Sequence, residues 1–138
     1  MNTKERKAQE AYLNVSKSSK KNFLLAFQYL MVDQKRFLDS ELTLSTVASE
    51  LNVSQGHLSR IINSSLGMSF NDYVNTLRVK EAKTFLGVMA NSVENIMNIA
   101  TKSGFNSKST FYASFKKLTG LTPYQFKNKH INKSEIMI

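Results

Sequence analysis

The chain of 138 residues contains no cysteine, one proline, five glycines and two histidines. Without cysteine, neither a disulfide framework nor a thiolate metal site can form, and redox chemistry gives no clue to the compartment. No stretch approaches the roughly 18 consecutive apolar residues of a membrane-spanning helix, and the first residues lack the order of a secretory signal. These absences predict a soluble, cytoplasmic protein that makes no membrane contact. His57 and His130 are accompanied by no carboxylate pair, glycine-rich phosphate loop or metal-ligand cluster. Neither catalysis, a metal nor a cofactor is therefore expected.

Carboxylates are scarce as well: ten against nineteen Lys and Arg, a formal net charge of +9. The excess lies at the two ends. Residues 92–138 carry +5, from seven lysines against two glutamates, and residues 1–21 carry +4, from six cations against two glutamates. Such a distribution attracts polyanions, nucleic acid or an acidic membrane surface, without specifying a fold.

What the chain does have is a repeat. The run Val47-Ala48-x-x-Leu51-Asn52-Val53-Ser54-x-x-x-Leu58 is echoed by Ile99-Ala100-x-x-Ser103-Gly104-Phe105-x-Ser107-x-x-x-Phe111. The echo continues, with Ile62 answering Phe115, Gly67 answering Gly120, Ser69 answering Thr122 and Tyr73 answering Phe126. One extra residue, Asn106, enters the second copy. A small residue, Ala48 or Ala100, suits a close helix approach. Four residues on, a left-handed backbone is required, which Gly104 adopts freely and Asn52 tolerates. Ser54 and Ser107 then stand as N-caps of the next helix. Two short helices meeting at roughly 90–120° satisfy all of these positions, a helix-turn-helix occurring twice; an αα-hairpin that merely packs is the alternative.

The expected fold is all-α, with two helix-turn-helix subdomains joined by a long central helix, about seven helices in all. Residues 1–20 read as a flexible tail or linker, with a frayed helix as the alternative, 21–130 as the folded domain, and 131–138 as a second tail. Within the domain, a first unit of about 21–68 opens with a helix near 20–33, on which Phe23, Phe27, Leu30 and Met31 share one face. Its paired helices fall near 43–50 and 54–64. The central helix of about 69–88 opens on a capping-box-like Ser69-x-x-Asp72 and carries Phe70, Val74, Leu77, Phe85 and Val88 along one side. The second unit, about 89–130, has helices near 92–103 and 107–118, then a closing helix to about Lys129 that opens on Thr122-Pro123-x-Gln125.

On the helix after Ser54, Leu58, Ile61 and Ile62 form the core side, while Gly56, Ser59, Arg60 and Asn63 share the opposite face. Arg60 suits base reading, since guanidinium donates twice to guanine O6 and N7; a phosphate contact or a merely exposed surface arginine is the alternative. Gln55 could read adenine or touch the backbone. On the helix after Ser107, Phe111, Phe115 and Leu118 form the core stripe, with Lys108, Ser109, Tyr112 and Ala113 facing away. This second face has no arginine and suits affinity more than specificity. Lys116, Lys117 and Lys127, with the capping residues Ser54 and Ser107, are the candidate backbone contacts.

The strings Arg78-x-x-Glu81-Ala82-x-x-x-Leu86 and Ile99-Ala100-x-x-Ser103-Gly104-Phe105-x-Ser107-x-Ser109-x-Phe111-x-x-x-Phe115-Lys116-Lys117-x-x-Gly120-x-Thr122-Pro123-x-x-Phe126-Lys127 resemble the signature of AraC/XylS-type transcription regulators. The resemblance covers about residues 22–129. It implies a DNA-binding domain whose two helix-turn-helix units enter adjacent major grooves of double-stranded DNA, usually to activate transcription alongside RNA polymerase. It assigns base reading to Gly56, Ser59 and Arg60 and to Lys108, Ser109, Tyr112 and Ala113. Arg78 is read as a structural ion-pair partner rather than a DNA contact. Family members usually join this domain to a sensing region. None is read in this chain, which is expected to be a monomeric domain, either a stand-alone regulator or a fragment of a longer one. A non-sequence-specific architectural protein and a pure interaction module are the competing classes.

Overall fold

A computed structural model of the chain describes residues 2–13, 20–88 and 95–136. The elements in order are α1 (Thr3–Leu13), α2 (Lys20–Gln28), a π-helical turn (Tyr29–Asp33), a 3-10 turn (Arg36–Leu38), α3 (Leu44–Glu50), α4 (Gln55–Leu66), α5 (Phe70–Val88), α6 (Ile96–Lys102), α7 (Lys108–Thr119) and α8 (Pro123–Ile136). Among the described residues the fold is all-α, as the periodicity predicts, with eight α-helices and no strand. The chain divides into two compact units, Met1–Tyr73 and Val74–Ile138. The division falls inside α5, four residues after that helix begins.

In the first unit, α2 and its π-helical continuation bury Phe23, Ala26, Phe27, Leu30 and Met31, a spacing that keeps one face inward. The helix-turn-helix contributes Val47, Ala48, Leu51, Leu58, Ile61 and Ile62, all buried. The Phe27 and Tyr73 rings pack with centroids 5.2 Å apart, and burial raises the Tyr73 phenol above its ordinary pKa. Arg36 reaches from the 3-10 turn to Glu50 at 2.8 Å, tying that turn to the end of α3.

The second unit is built on aromatic rings. Val79, Ala82, Leu86, Ile99, Ala100, Phe105, Phe111 and Phe115 form its core, with Phe126 packed against them. Phe111 lies 5.0 Å from Phe105 and 5.8 Å from Phe115, which lies 5.4 Å from Phe126. Arg78 is buried, its guanidinium 5.9 Å from the centre of the Phe105 ring.

The two turns close alike. Asn52 has φ 58° and Gly104 φ 99°, both left-handed. In each copy the next residue donates its amide back to the small alanine: Val53 N to Ala48 O and Phe105 N to Ala100 O, both at 3.0 Å. The left-handed residues themselves donate to Ser49 O and Thr101 O, at 3.1 and 3.0 Å. This is the paired hydrogen bonding of a Schellman motif. The next helix then opens on its serine, with Ser54 Oγ accepting from His57 N and Ser107 Oγ from Thr110 N, each at 3.1 Å. Ser69 caps α5 through Asp72 N. At α8 the capping box is complete, since Thr122 Oγ1 accepts from Gln125 N while Gln125 Oε1 accepts from Thr122 N.

Several expectations change. The stretch read as a tail, residues 1–20, includes α1, capped by Asn2 Oδ1 at 2.7 Å from Glu5 N and packed on α2. Among its described side chains the buried apolar one is Ala8, too slight a stripe to register as periodicity. α1 therefore adds an eighth helix to the predicted seven. α8 continues through most of the predicted C-terminal tail to Ile136, because no glycine or proline follows Pro123 to stop it. The first part of the predicted 92–103 helix lies outside the described residues; α6 starts at Ile96, capped by Asn95. Leu118 and Val88, read as core-facing, are 46% and 80% exposed. Both sit in the last turn of their helices, where the apolar pattern outlasts the packed layer.

Replacing Asn52 by valine should lower stability by about 1–2 kcal/mol, because a β-branched side chain is strained at this φ. Asn52→Gly should stay within about 1 kcal/mol of the parent. Urea midpoints measure both, and a valine variant as stable as the parent would show that this turn does not hold its conformation.

Candidate nucleic-acid interface

On α4 the buried Leu58, Ile61 and Ile62 fix which side turns outward. Gln55, Gly56, Arg60 and Asn63 are exposed, and Ser59 is half-buried between the two sides. Apart from His57, Arg60 is the helix's one residue able to carry charge. Its guanidinium folds back along the helix over Gly56, so close that a Cβ added there would lie 3.3 Å from Arg60 Nη1. Gly56 thus makes room for the arginine. Asn63 turns inward along its own helix, donating from Nδ2 to Ser59 O at 3.0 Å and approaching Ser59 Oγ at 3.4 Å. Reading adenine with both ends of that amide would require it to leave Ser59. Ser54 Oγ accepts from the His57 amide as a cap, which leaves its O–H able to donate to a further partner.

On α7, Lys108, Ser109 and Ala113 are exposed, whereas Tyr112 is half-buried. The Tyr112 ring stands edge-on to Phe111 at 5.8 Å and packs against the aromatic core, while Lys108 Nζ lies 5.6 Å above it. Tyr112 is thus anchored, and its contribution outward is a fixed edge rather than a swinging reader. Ser107 donates its hydroxyl to Thr110 Oγ1 at 2.9 Å and caps the helix, a mainly structural commitment. Lys116 and Lys117 are exposed in the last turn of α7, where a cation also favours the helix C-terminus. Lys127 is half-buried on α8.

The structure therefore gathers Gln55, Gly56, Ser59, Arg60 and Asn63 on one face of α4, and Lys108, Ser109, Tyr112 and Ala113 on one side of α7, each beside its own turn. The sequence pattern weighs His57 only against catalysis and metal binding, and assigns it no place on either face of α4. The structure leaves it exposed with its ring edge-on to Phe23, centroids 5.9 Å apart. The signal was its place one residue before Leu58, at the border of the buried stripe. No group of three or more potential metal ligands occurs among the described residues, and no described helix is long and apolar enough to cross a membrane.

Comparison with known proteins agrees with this geometry. The sequence profile of the family described as "Helix-turn-helix domain" matches residues 47–129, more than half of the chain. The HTH-type transcriptional regulator YtdP of Bacillus subtilis is 35% identical over 91 residues, which cover 66% of this chain and 11% of that protein. The chain thus spans about a ninth of the length of this relative. Among solved structures, the C-terminal domain of the two-component response regulator yesN from Fusobacterium nucleatum superposes with a TM-score of 0.67 at 29% identity, covering 77% of this chain and 98% of that one. The C-terminal domain of AraT, a response regulator from Geobacillus stearothermophilus, superposes with a TM-score of 0.62 at 29% identity, covering 89% of this chain and 84% of that one. The duplicated turn, the outward polar faces and the profile match lead to one assignment: this chain belongs to the AraC-type helix-turn-helix family of DNA-binding transcription regulators.

Proposed function

We propose that the chain reads a specific sequence in double-stranded DNA, with α4 as the main base reader and α7 as a second head that contributes mostly affinity. The observation that carries this reading is the pair of matched turns, each presenting a capped helix whose buried stripe leaves a polar face outward. α4 carries the guanidinium suited to bidentate reading of guanine, and α7 carries lysines suited to phosphate. The 19 residues of α5 make a helix of about 28 Å, comparable with the roughly 34 Å between successive major grooves on one side of DNA. Each head is proposed to enter one of two adjacent grooves.

The regulatory outcome that fits the family is activation of transcription, with RNA polymerase as the protein partner. The chain acts as a cytoplasmic monomeric domain, under the control of whatever sensing region a longer regulator would add.

Selection from a random duplex library at physiological salt tests the reading, and two short boxes about one helical turn apart are the expected result. A pool that stays random despite salt-dependent binding would refute sequence-specific reading and leave the architectural one. On the selected site, Arg60→Ala should cost about 1–3 kcal/mol and relax one base position; equal losses on random DNA would remove its reading role. Lys116→Ala should weaken all sequences alike and reduce the slope of log affinity against log salt by about one unit. An unchanged slope would show that Lys116 does not meet a phosphate.

A further inference from the structure

We propose that His57 is a phosphate clamp, a DNA-backbone contact whose ring is aimed by Phe23 of α2; the inference rests on the reading of α4 as the groove helix. One residue before the fully buried Leu58, His57 lies about 100° around the helix from it. That places it on the border between the packed stripe and the face of Gly56 and Arg60. Side chains on such a border meet the walls of a major groove, which are phosphate, while those at the centre of the face meet base edges.

The ring is positioned for that contact. It is exposed, and it packs against Phe23 with an interplanar angle of 69° at 5.9 Å. Phe23 is itself 5% exposed and anchored in the first unit's core. The edge-to-face contact restricts the imidazole before DNA arrives, so less side-chain entropy remains to be lost on binding. The backbone amide of His57 is committed to Ser54 Oγ, which fixes the first turn of α4 beneath the ring. Among the described residues, neither ring nitrogen has a protein hydrogen-bond partner. An imidazole N–H is a suitable donor to a phosphate oxygen. Arg60 then reads the base edge while His57 holds the adjoining strand, so that one turn of α4 provides both position and specificity.

The test uses the full chain with two probes, the duplex recovered by selection and a random duplex of equal length. His57→Phe keeps an aromatic ring against Phe23 but removes both nitrogens. It should weaken binding to both duplexes by the same factor, roughly three- to tenfold, the range of one hydrogen bond exchanged with water. His57→Gln restores an N–H donor and should recover most of that loss, a rescue that a purely packing role would not give. Melting temperatures are measured in parallel, and the phenylalanine variant should melt with the parent. Unchanged affinity in His57→Phe would overturn the proposal. So would a loss confined to the selected duplex, or one that follows a lowered melting temperature and is not recovered by glutamine. Arg60→Ala separates the two levels of inference. If it still abolishes discrimination while His57→Phe does nothing, the clamp fails and the groove reading stands; if no variant matters and no site is selected, both fail.

Discussion

Each unit depends on one backbone constraint, a single residue held in the left-handed region at the end of a seven-residue helix. At Asn52 and Gly104 the chain reverses tightly enough for the following amide to return to the alanine carbonyl five residues earlier. That bond satisfies a helix-end carbonyl and fixes the direction in which the chain leaves. The serine cap follows within a few residues and starts the second helix along that direction. Which side of α4 or α7 turns outward is then decided by Leu58 and Ile62, or by Phe111 and Phe115, docking inward. The polar face follows from the turn and the packing together.

The two copies reach the same geometry with different materials. Where the first unit buries Leu51, the second buries Ser103, whose hydroxyl donates to Ile99 O at 2.8 Å and so carries no unsatisfied group inside. The lost volume reappears two residues on, where Phe105 stands in the place of Val53. Phe105, Phe111, Phe115 and Phe126 then continue as a row of tilted and edge-on rings, with Arg78 over the first of them. Cores tolerate such exchanges when total volume is kept. The extra residue Asn106 is absorbed between the left-handed glycine and the cap, outside both helices.

Most of the fold could be read from local chemistry because its decisive features are local. Left-handed turns, N-cap serines, the Thr122–Gln125 capping box and the inward stripes of α2, α4 and α7 each depend on residues within one or two turns of each other. What escaped depends on tertiary context. α1 shows little apolar pattern, since α2 supplies the surface that makes Ala8 a buried residue. The widening of α2 into a π turn at Tyr29–Asp33 leaves no mark in a pattern that continues helically through it. Leu118 and Val88 show the opposite failure, an apolar period that runs on after the packing partner has ended. At the interface, the outward faces of α4 and α7 were legible from spacing. The inward turn of Asn63, the anchoring of Tyr112 and the pairing of His57 with Phe23 were not, because each depends on a rotamer or on a neighbouring helix.

The close fit between Gly56 and Arg60 has an evolutionary consequence. Position 56 is exposed, and the atom nearest to a new Cβ there is the tip of a flexible guanidinium rather than backbone. A mutation from glycine can therefore enter with little burden on folding while pushing the arginine fork into a new orientation. Stability, which filters most substitutions, exerts little selection at this position. On the proposed reading of Arg60 as a base reader, recognition would drift here one mutation at a time, with the scaffold that presents it left unaltered.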